Sequence, residues 1–195
     1  MISIIGAGAW GTALALAARQ AGNEVTLWAY ETETVAAIND SHENTFYLPG
    51  VVLDANIRAT SDLLEAATAD VLLLAAPAQH IRMTIAPLAG RLAHATPLIV
   101  CAKGIEQETL ALMSEAVEEA FPQNPVFILS GPTFAADVAA GLPTAVTLAG
   151  SDLAAAKALA DRLSSEHFRT YSGNDIIGAQ IGGAIKNVLA IACGI

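Results

Sequence analysis

Three groups of residues have the types and spacing to do chemistry. The first is Gly6-Ala7-Gly8-Ala9-Trp10-Gly11, a GxGxxG turn between the apolar run Ile2–Ile5 and an alanine-rich helical stretch. In that context Gly6 permits a tight turn, Gly8 lets a pyrophosphate approach the backbone, and Gly11 lets helix pack on strand. The helix that follows offers unpaired N–H groups to phosphates. A purely structural turn is the competing reading, and the strand–turn–helix setting weighs against it. Tyr30 and Glu31 close the second strand-like run, about 20 residues after the glycines, where an acid commonly accepts from a ribose 2′-hydroxyl. Glu31 in that role would disfavour a 2′-phosphate. Equally, Tyr30 could lie against an adenine while Glu31 caps the next helix, and the residues alone leave both readings open.

The second group sits at strand ends. Ligands of open parallel sheets lie outside the carboxyl ends of the strands, and those ends carry Ala76-Pro77, Lys103-Gly104 and Ser130-Gly131-Pro132-Thr133. Lys103 directly follows an apolar run in a chain with few lysines, so a functional ammonium is favoured over a snorkelling surface one. Thr133 falls near a helix start, where a hydroxyl and backbone N–H groups can hold an oxygen ligand or simply cap the helix. The third group is Gly178, Gly182 and Lys186, spaced by four and so on one helical face. Two glycines let a backbone or ligand approach, and a lysine in an otherwise apolar helix needs a partner or a wet cavity. The plainer alternative is helix packing with the lysine reaching solvent.

These residues need an alternating scaffold to bring them together. Strands are expected at Ile2–Ile5, Glu24–Trp28, Val71–Ala76, Leu98–Ala102, Val126–Leu129 and Ala145–Leu148, with a weaker one near Arg58. Helices are expected at Thr12–Ala21, Glu31–Asp40, Asp62–Ala67, Gln79–Ala93, Thr109–Phe121, Phe134–Ala140 and Asp152–Ser164. This rhythm predicts an α/β fold with a doubly wound, mostly parallel sheet. Asp62 and Glu65 have capping-box spacing, Pro87 should kink or shorten its helix, and His42–Asn56 reads as an ordered loop. Asn174–Ile195 reads as one long apolar helix that runs off the end without a cap, so a second domain is expected to follow.

Composition narrows the class. The chain is 54% hydrophobic, 14% charged and only 5% aromatic, which suits strands buried on both faces under helices. The apolar runs are shorter than a membrane span requires, and a strand pattern starting beside Met1 leaves no room for a signal peptide. A soluble, cytoplasmic protein is expected. The net charge of −10 argues against nucleic acid as a partner. Cys101 and Cys193 read as buried reduced thiols, and the scattered histidines give no metal-ligand spacing.

Taken together, Gly6–Gly11, Ala102-Lys103-Gly104, Ser130-Gly131-Pro132-Thr133-Phe134-Ala135 and Gly182-Gly183-Ala184-Ile185-Lys186-Asn187-Val188, with the loop Asn44–Gly50, resemble the signature of the NAD(P)-dependent glycerol-3-phosphate dehydrogenases. Four motifs in the right order, in register over essentially the whole chain, are far more specific than any one. The resemblance implies a Rossmann-like domain over 1–173, with 174–195 beginning a helix that leads into a helical substrate domain missing from this chain. It implies hydride transfer between NAD or NADP and the dihydroxyacetone phosphate/sn-glycerol 3-phosphate pair, supplying phospholipid synthesis, in a protein that forms a homodimer at full length. By motif position Lys186 matches the proton-transferring lysine and Lys103 a lysine shared by cofactor and substrate. Gly131 and Thr133 match substrate contacts, and Trp10, Tyr30 and Ala135 match cofactor contacts, beside the turn residues Gly6, Gly8, Ala9 and Gly11 and the acid Glu31 already read as cofactor-binding. Tyr30 stands where many relatives carry a basic residue, and Ala9 where serine is common. Because the second domain would complete the substrate site, this chain alone is expected to bind cofactor and turn over little. The alternatives are a dehydrogenase of the 6-phosphogluconate or 3-hydroxyacid type, and a non-catalytic dinucleotide sensor, against which the two lysines argue.

Overall fold

The computed structural model describes residues 1–194, Asn187 by its backbone alone. Its main sheet is built from short β-branched and leucine-rich runs: Ile2–Ile5 (β1), Val25–Trp28 (β2), Ile57–Thr60 (β5), Val71–Leu74 (β6), Leu98–Val100 (β7), Val126–Ser130 (β8), Thr144–Gly150 (β9) and Phe168–Gly173 (β10). Glu43–Asn44 (β3) and Leu48–Val52 (β4) form a separate antiparallel pair. The strand order is β10-β9-β8-β7-β6-β1-β2-β5. Pairing is parallel except between β8 and β9, so β9 and β10 run against the other six. The expected doubly wound, mostly parallel sheet is therefore present.

Alternation along each strand explains the layers. Ile4, Leu73, Ile99, Phe127 and Leu129 face one core, while Ile5, Leu72, Leu74, Leu98, Val100, Val126 and Ile128 face the other. Successive residues point to opposite faces, and near-continuous apolar runs allow both faces to be buried. On the first face lie Ala9–Gln20 (α1), Thr32–Ser41 (α2), Ala135–Ala139 (α6) and Leu153–Leu163 (α7). On the second lie Leu63–Ala66 (α3), Ile81–Ile85 (α4), Met113–Ala120 (α5) and the start of Ile176–Cys193 (α8). The chain leaves β1 toward β2 on one side and later returns to β6 on the other. The strand order thus reverses beside the glycine turn, at the place where such sheets bind ligands.

Several boundaries differ from the sequence expectations for identifiable reasons. α1 begins at Ala9, three residues earlier than expected, with Gly8 as its N-cap. The expected helix over Gln79–Ala93 is a 3₁₀ turn, the short α4, and a second 3₁₀ turn at Ala86–Leu88 that contains Pro87. Proline removes a donor and crowds the preceding turn. The helix expected from Thr109 starts only at Met113, because Leu110 takes a left-handed φ of 60°. The loop expected over His42–Asn56 contains the β3–β4 hairpin, with Pro49 in its short strand, a position proline tolerates at a sheet edge. β10 has no counterpart among the expected strands, although Phe168 and Thr170 are buried and Arg169 and Tyr171 exposed. Asp62 caps α3 by accepting from Leu64 and Glu65, but the Glu65 carboxylate turns to the Thr60 hydroxyl and Arg58 instead of closing the box. The last residue of the expected terminal helix, Ile195, lies outside the described residues. Cys101 is buried as expected, and its thiol pKa is pushed up by that burial. Cys193 is exposed on α8.

Candidate functional site

Two adjoining cavities open at the carboxyl ends of the strands. The larger, of about 860 Å³, is lined by Gly6–Trp10, Tyr30, Glu31 and Tyr47, by residues 75–78 after β6, and by Lys103, Thr133 and Ala135. The smaller, of about 430 Å³, is lined by Lys103, Ser130, Gly131, Asp175, Gly178, Gly182, Gly183 and Lys186 among others. Lys103 borders both.

The glycine turn is forced by close packing. Gly6 has φ 118°, and a Cβ there would lie 2.6 Å from the Ala76 nitrogen. A Cβ on Gly11 would strike the Gly6 carbonyl oxygen. At Gly8 the same atom would meet nothing within 4 Å, so the space there is open to a ligand. Thr12 is the first residue of α1 whose N–H reaches an intrahelical acceptor, Gly8. The N–H groups of Ala9, Trp10 and Gly11 precede it, and no side chain caps them or places an acid in the first turn. An unsatisfied helix start with no competing anion fits a phosphate.

A buried asparagine holds this turn. Asn44, fully buried, donates to the Ala7 carbonyl and the Thr12 hydroxyl, both at 2.8 Å, and accepts from the Tyr47 N–H at 3.1 Å. The hairpin is thereby tied to the turn, and Tyr47 is delivered to the cavity rim. Its hydroxyl donates to Glu31 at 2.9 Å, and the Glu31 carboxylate raises the Tyr47 pKa. Glu31 occupies the N-cap position of α2 but makes no capping hydrogen bond, so the helix-cap reading fails. Tyr30 is 81% exposed at the mouth.

Lys103 is aimed by its surroundings. After β7 the chain passes so close to Ala78 that a Cβ on Gly104, whose φ is 147°, would lie 2.9 Å from that side chain. Gln79 then donates to the Ile105 carbonyl and accepts from the Gln107 N–H. Arg82 makes two hydrogen bonds to Glu106 and one to Glu119. These bonds strap the loop after β7 to the segment after β6. The Lys103 ammonium, on an exposed residue, donates to the Gly131 carbonyl at 3.0 Å and lies 5.9 Å from the Trp10 ring. Burial lowers its pKa, and the nearby charge of Lys186 lowers it further.

Gly178, Gly182 and Lys186 share the face that lines the smaller cavity, as their spacing predicts. The close approach is made elsewhere, however. Gly182 faces open space, whereas a Cβ on Gly183 would lie 2.9 Å from the Ser130 hydroxyl and 3.7 Å from Lys103. Lys186 is exposed and sits 5.5 Å from the Phe134 ring. The Thr133 hydroxyl is buried without a hydrogen-bond partner among the described residues, and Phe134 is the N-cap of α6, so Thr133 is no helix cap. Sequence reasoning missed Asn44, Tyr47, Gln79, Arg82 and Glu106 as parts of the site. Only Asn44 and Tyr47 had a signal, lying in the loop Asn44–Gly50 that carries part of the family resemblance. Among the described residues, no group of His, Cys, Asp or Glu side chains is placed to hold a metal, and no helix is long and apolar enough to cross a membrane.

Open helix-start amides, room at Gly8 and an acid at the far rim fit a dinucleotide, and comparison with known proteins points the same way. A family model described as the NAD-dependent glycerol-3-phosphate dehydrogenase N-terminus matches residues 1–156. The chain is 56% identical over 194 residues to glycerol-3-phosphate dehydrogenase (NAD(P)+) of Parvibaculum lavamentivorans, matching 100% of this chain and 58% of that one. It is 53% identical to the enzyme of the same name from Paramagnetospirillum magneticum, of which it covers 70%. The crystal structure of glycerol-3-phosphate dehydrogenase from Coxiella burnetii superposes with a TM-score of 0.91 at 36% identity, over 99% of this chain and 59% of that one. The chain thus spans somewhat more than half the length of relatives it matches throughout. These matches set aside the 6-phosphogluconate and 3-hydroxyacid alternatives. On the evidence of its glycine turn, its sheet and a match across most of its length, the chain belongs to the NAD(P)-dependent glycerol-3-phosphate dehydrogenase family.

Proposed function

We propose that this chain binds a nicotinamide dinucleotide in the larger cavity and supplies part of a site that interconverts dihydroxyacetone phosphate and sn-glycerol 3-phosphate. The carrying observation is that Lys103 borders both cavities while Lys186 lines the smaller one. Two ammonium groups therefore converge where a ketone next to the cofactor would react. The chemistry supplied by a bound nicotinamide is hydride donation or acceptance. As a hydride adds to the carbonyl carbon, negative charge grows on oxygen, and a positioned ammonium stabilises and protonates it. Lys186 takes that role; Lys103, fixed on the Gly131 carbonyl, orients substrate against cofactor. Gly131 and the unpartnered Thr133 hydroxyl line the path between them. In the cofactor site, Gly6, Gly8, Ala9, Trp10 and Gly11 receive the pyrophosphate, with Tyr30, Glu31 and Ala135 along the cavity wall.

We further read residues 1–173 as the dinucleotide-binding unit and 174–195 as the start of a helix toward a substrate-closing domain. The complete protein would be a cytoplasmic homodimer supplying glycerol 3-phosphate to phospholipid synthesis. Ile177, Val188, Leu189 and Ile191 of α8 are more than half exposed, which supports a covering partner for that helix. The test has two arms. Fluorescence titration of the 195-residue chain should show NADH binding, and its turnover of dihydroxyacetone phosphate should be negligible. In a chain of the relatives' full length, Lys186→Ala should lower kcat by at least about 10²-fold. Unchanged kcat in that variant would remove the assigned role. Robust turnover by the 195-residue chain would refute its dependence on a second domain.

A further inference from the structure

We propose that Gln180, by gripping the start of α5, sets the roll of α8 that turns Lys186 into the smaller cavity beside Lys103. The inference rests on the reading of Lys186 given above and assigns the residue that positions it. Most of the face that α8 seats on the protein is smooth. Ile176 and Ala179 pack against the second core, and the next turn carries Gly182 and Gly183. Apolar contact is non-directional, so small side chains alone do not stop a helix turning about its axis. Gln180 does. At 7% exposure it is buried, and among the described residues no other side chain of α8 hydrogen-bonds outside the helix.

The grip is two-sided. Leu112, the N-cap of α5, has no side-chain acceptor, so the Ser114 N–H lacks the usual local cap. The Gln180 carbonyl oxygen accepts from that N–H at 2.9 Å, and its amide donates to the Ser114 hydroxyl at 2.8 Å. A further bond, to the Ile176 carbonyl at 3.2 Å, fixes the side chain on its own helix. α5 is tied through Glu119 to Arg82, which also holds Glu106 in the loop that starts at Lys103. Gln180 therefore fastens α8 to the body that carries Lys103. At about 100° per residue it lies roughly 200° round the helix from Gly182. Anchoring the Gln180 face thus presents Gly178, Gly182 and Lys186 to the cavity. The tolerance is small. At the roughly 5–6 Å radius of a helix with its side chains, a roll of about 20° carries a side-chain end about 2 Å. Misplacing a reacting group by about 1 Å can cost about 10²-fold in rate.

The test separates positioning from capping. In a chain of the relatives' full length, Gln180→Met keeps the bulk of the side chain and removes both bonds to Ser114. Its kcat per folded molecule should fall at least about tenfold, while NADH affinity, set at the glycine turn, is unchanged. Adding Leu112→Ser supplies a local cap for the Ser114 N–H, so the lost thermal stability should return and kcat should not. Circular dichroism checks folding, and Ser114→Ala, which removes only the hydroxyl bond, should give a smaller loss of kcat. In the 195-residue chain, Lys186 helps to hold down the Lys103 pKa. That pKa should move upward in Gln180→Met, toward its value in Lys186→Met. Wild-type kcat in Gln180→Met, recovery of kcat together with stability in the double variant, or an unmoved Lys103 pKa would overturn the proposal. Lys186→Ala, assayed alongside, keeps the two claims apart. If it lowers kcat and Gln180→Met does not, only the positioning role falls. If it leaves kcat unchanged, the reading of Lys186 falls and the proposal with it.

Discussion

The two ends of the site are built differently. At the turn end, geometry is enforced by packing: backbone approaches that only glycine tolerates at Gly6 and Gly11, and a buried asparagine with three hydrogen bonds. At the lysine end, Lys103 is strapped in by partly exposed Arg82 contacts, and Lys186 stands on a helix whose outer face is largely bare. The turn end is thus preorganised by the chain itself, and the lysine end is open on one side. The proposed behaviour of the chain, cofactor binding with little turnover, rests on this division, because catalysis needs charge placed within a dry, closed site.

The most severe way to break this contrast is Gly11→Val. Its side chain would meet the Gly6 carbonyl, and overpacking of that kind costs about 2–3 kcal/mol. Urea denaturation should show the loss, and NADH binding should disappear with it. Asn44→Ala comes next. It strands the Tyr47 N–H and leaves the Ala7 carbonyl with only the Thr12 hydroxyl at 3.4 Å, without touching either lysine, at a cost of about 2 kcal/mol. Stability should drop while Lys103 titrates as before; a shift in the Lys103 pKa would show that the two ends are coupled.

Smaller effects sharpen the lysine end. Gly182→Ala enters open space and should stabilise the helix by up to about 1 kcal/mol, whereas Gly183→Ala presses on Ser130 and should destabilise. Thermal unfolding of the pair distinguishes them, and the opposite order would mean that α8 is rotated. The finest test follows a proton. Lys103 titrates below the ordinary lysine value of 10.5, chiefly through burial and then through Lys186. Its folded form binds fewer protons than the unfolded chain in that window, so stability should rise as pH climbs through the folded pKa toward 10.5. Lys186→Met should move the Lys103 pKa upward without fully restoring it, as read by NMR of ¹³C-methylated lysines. No movement would place the two amines too far apart to share a substrate.

Most of the fold was legible because its signals are local. Six apolar runs between helical stretches fall on observed strands, and Ile4 and Ile5 pointing to different cores follows from period-two geometry alone. The exceptions are also local in cause. β10 is an edge strand with polar outward residues, so its apolar content is too low to stand out. Leu110 adopts a conformation that its side chain disfavours, within a turn closed by hydrogen bonds between Glu106 and Thr109, Leu110 and Ala111.

The sequence by itself determined the glycine turn, the identity of the two lysines and the four-residue spacing that puts Gly178, Gly182 and Lys186 on one face. Each depends on neighbours within a few turns of the chain. Only the tertiary structure decided that Lys103 borders both cavities, that Glu31 binds Tyr47 instead of capping α2, and that Gly183 rather than Gly182 makes the close approach. Those outcomes rest on partners far away in the chain, such as Asn44 beneath Ala7 and Ser130 against α8. No spacing rule reaches that far; they follow from how the strands are ordered and from which hydrogen bonds burial makes obligatory.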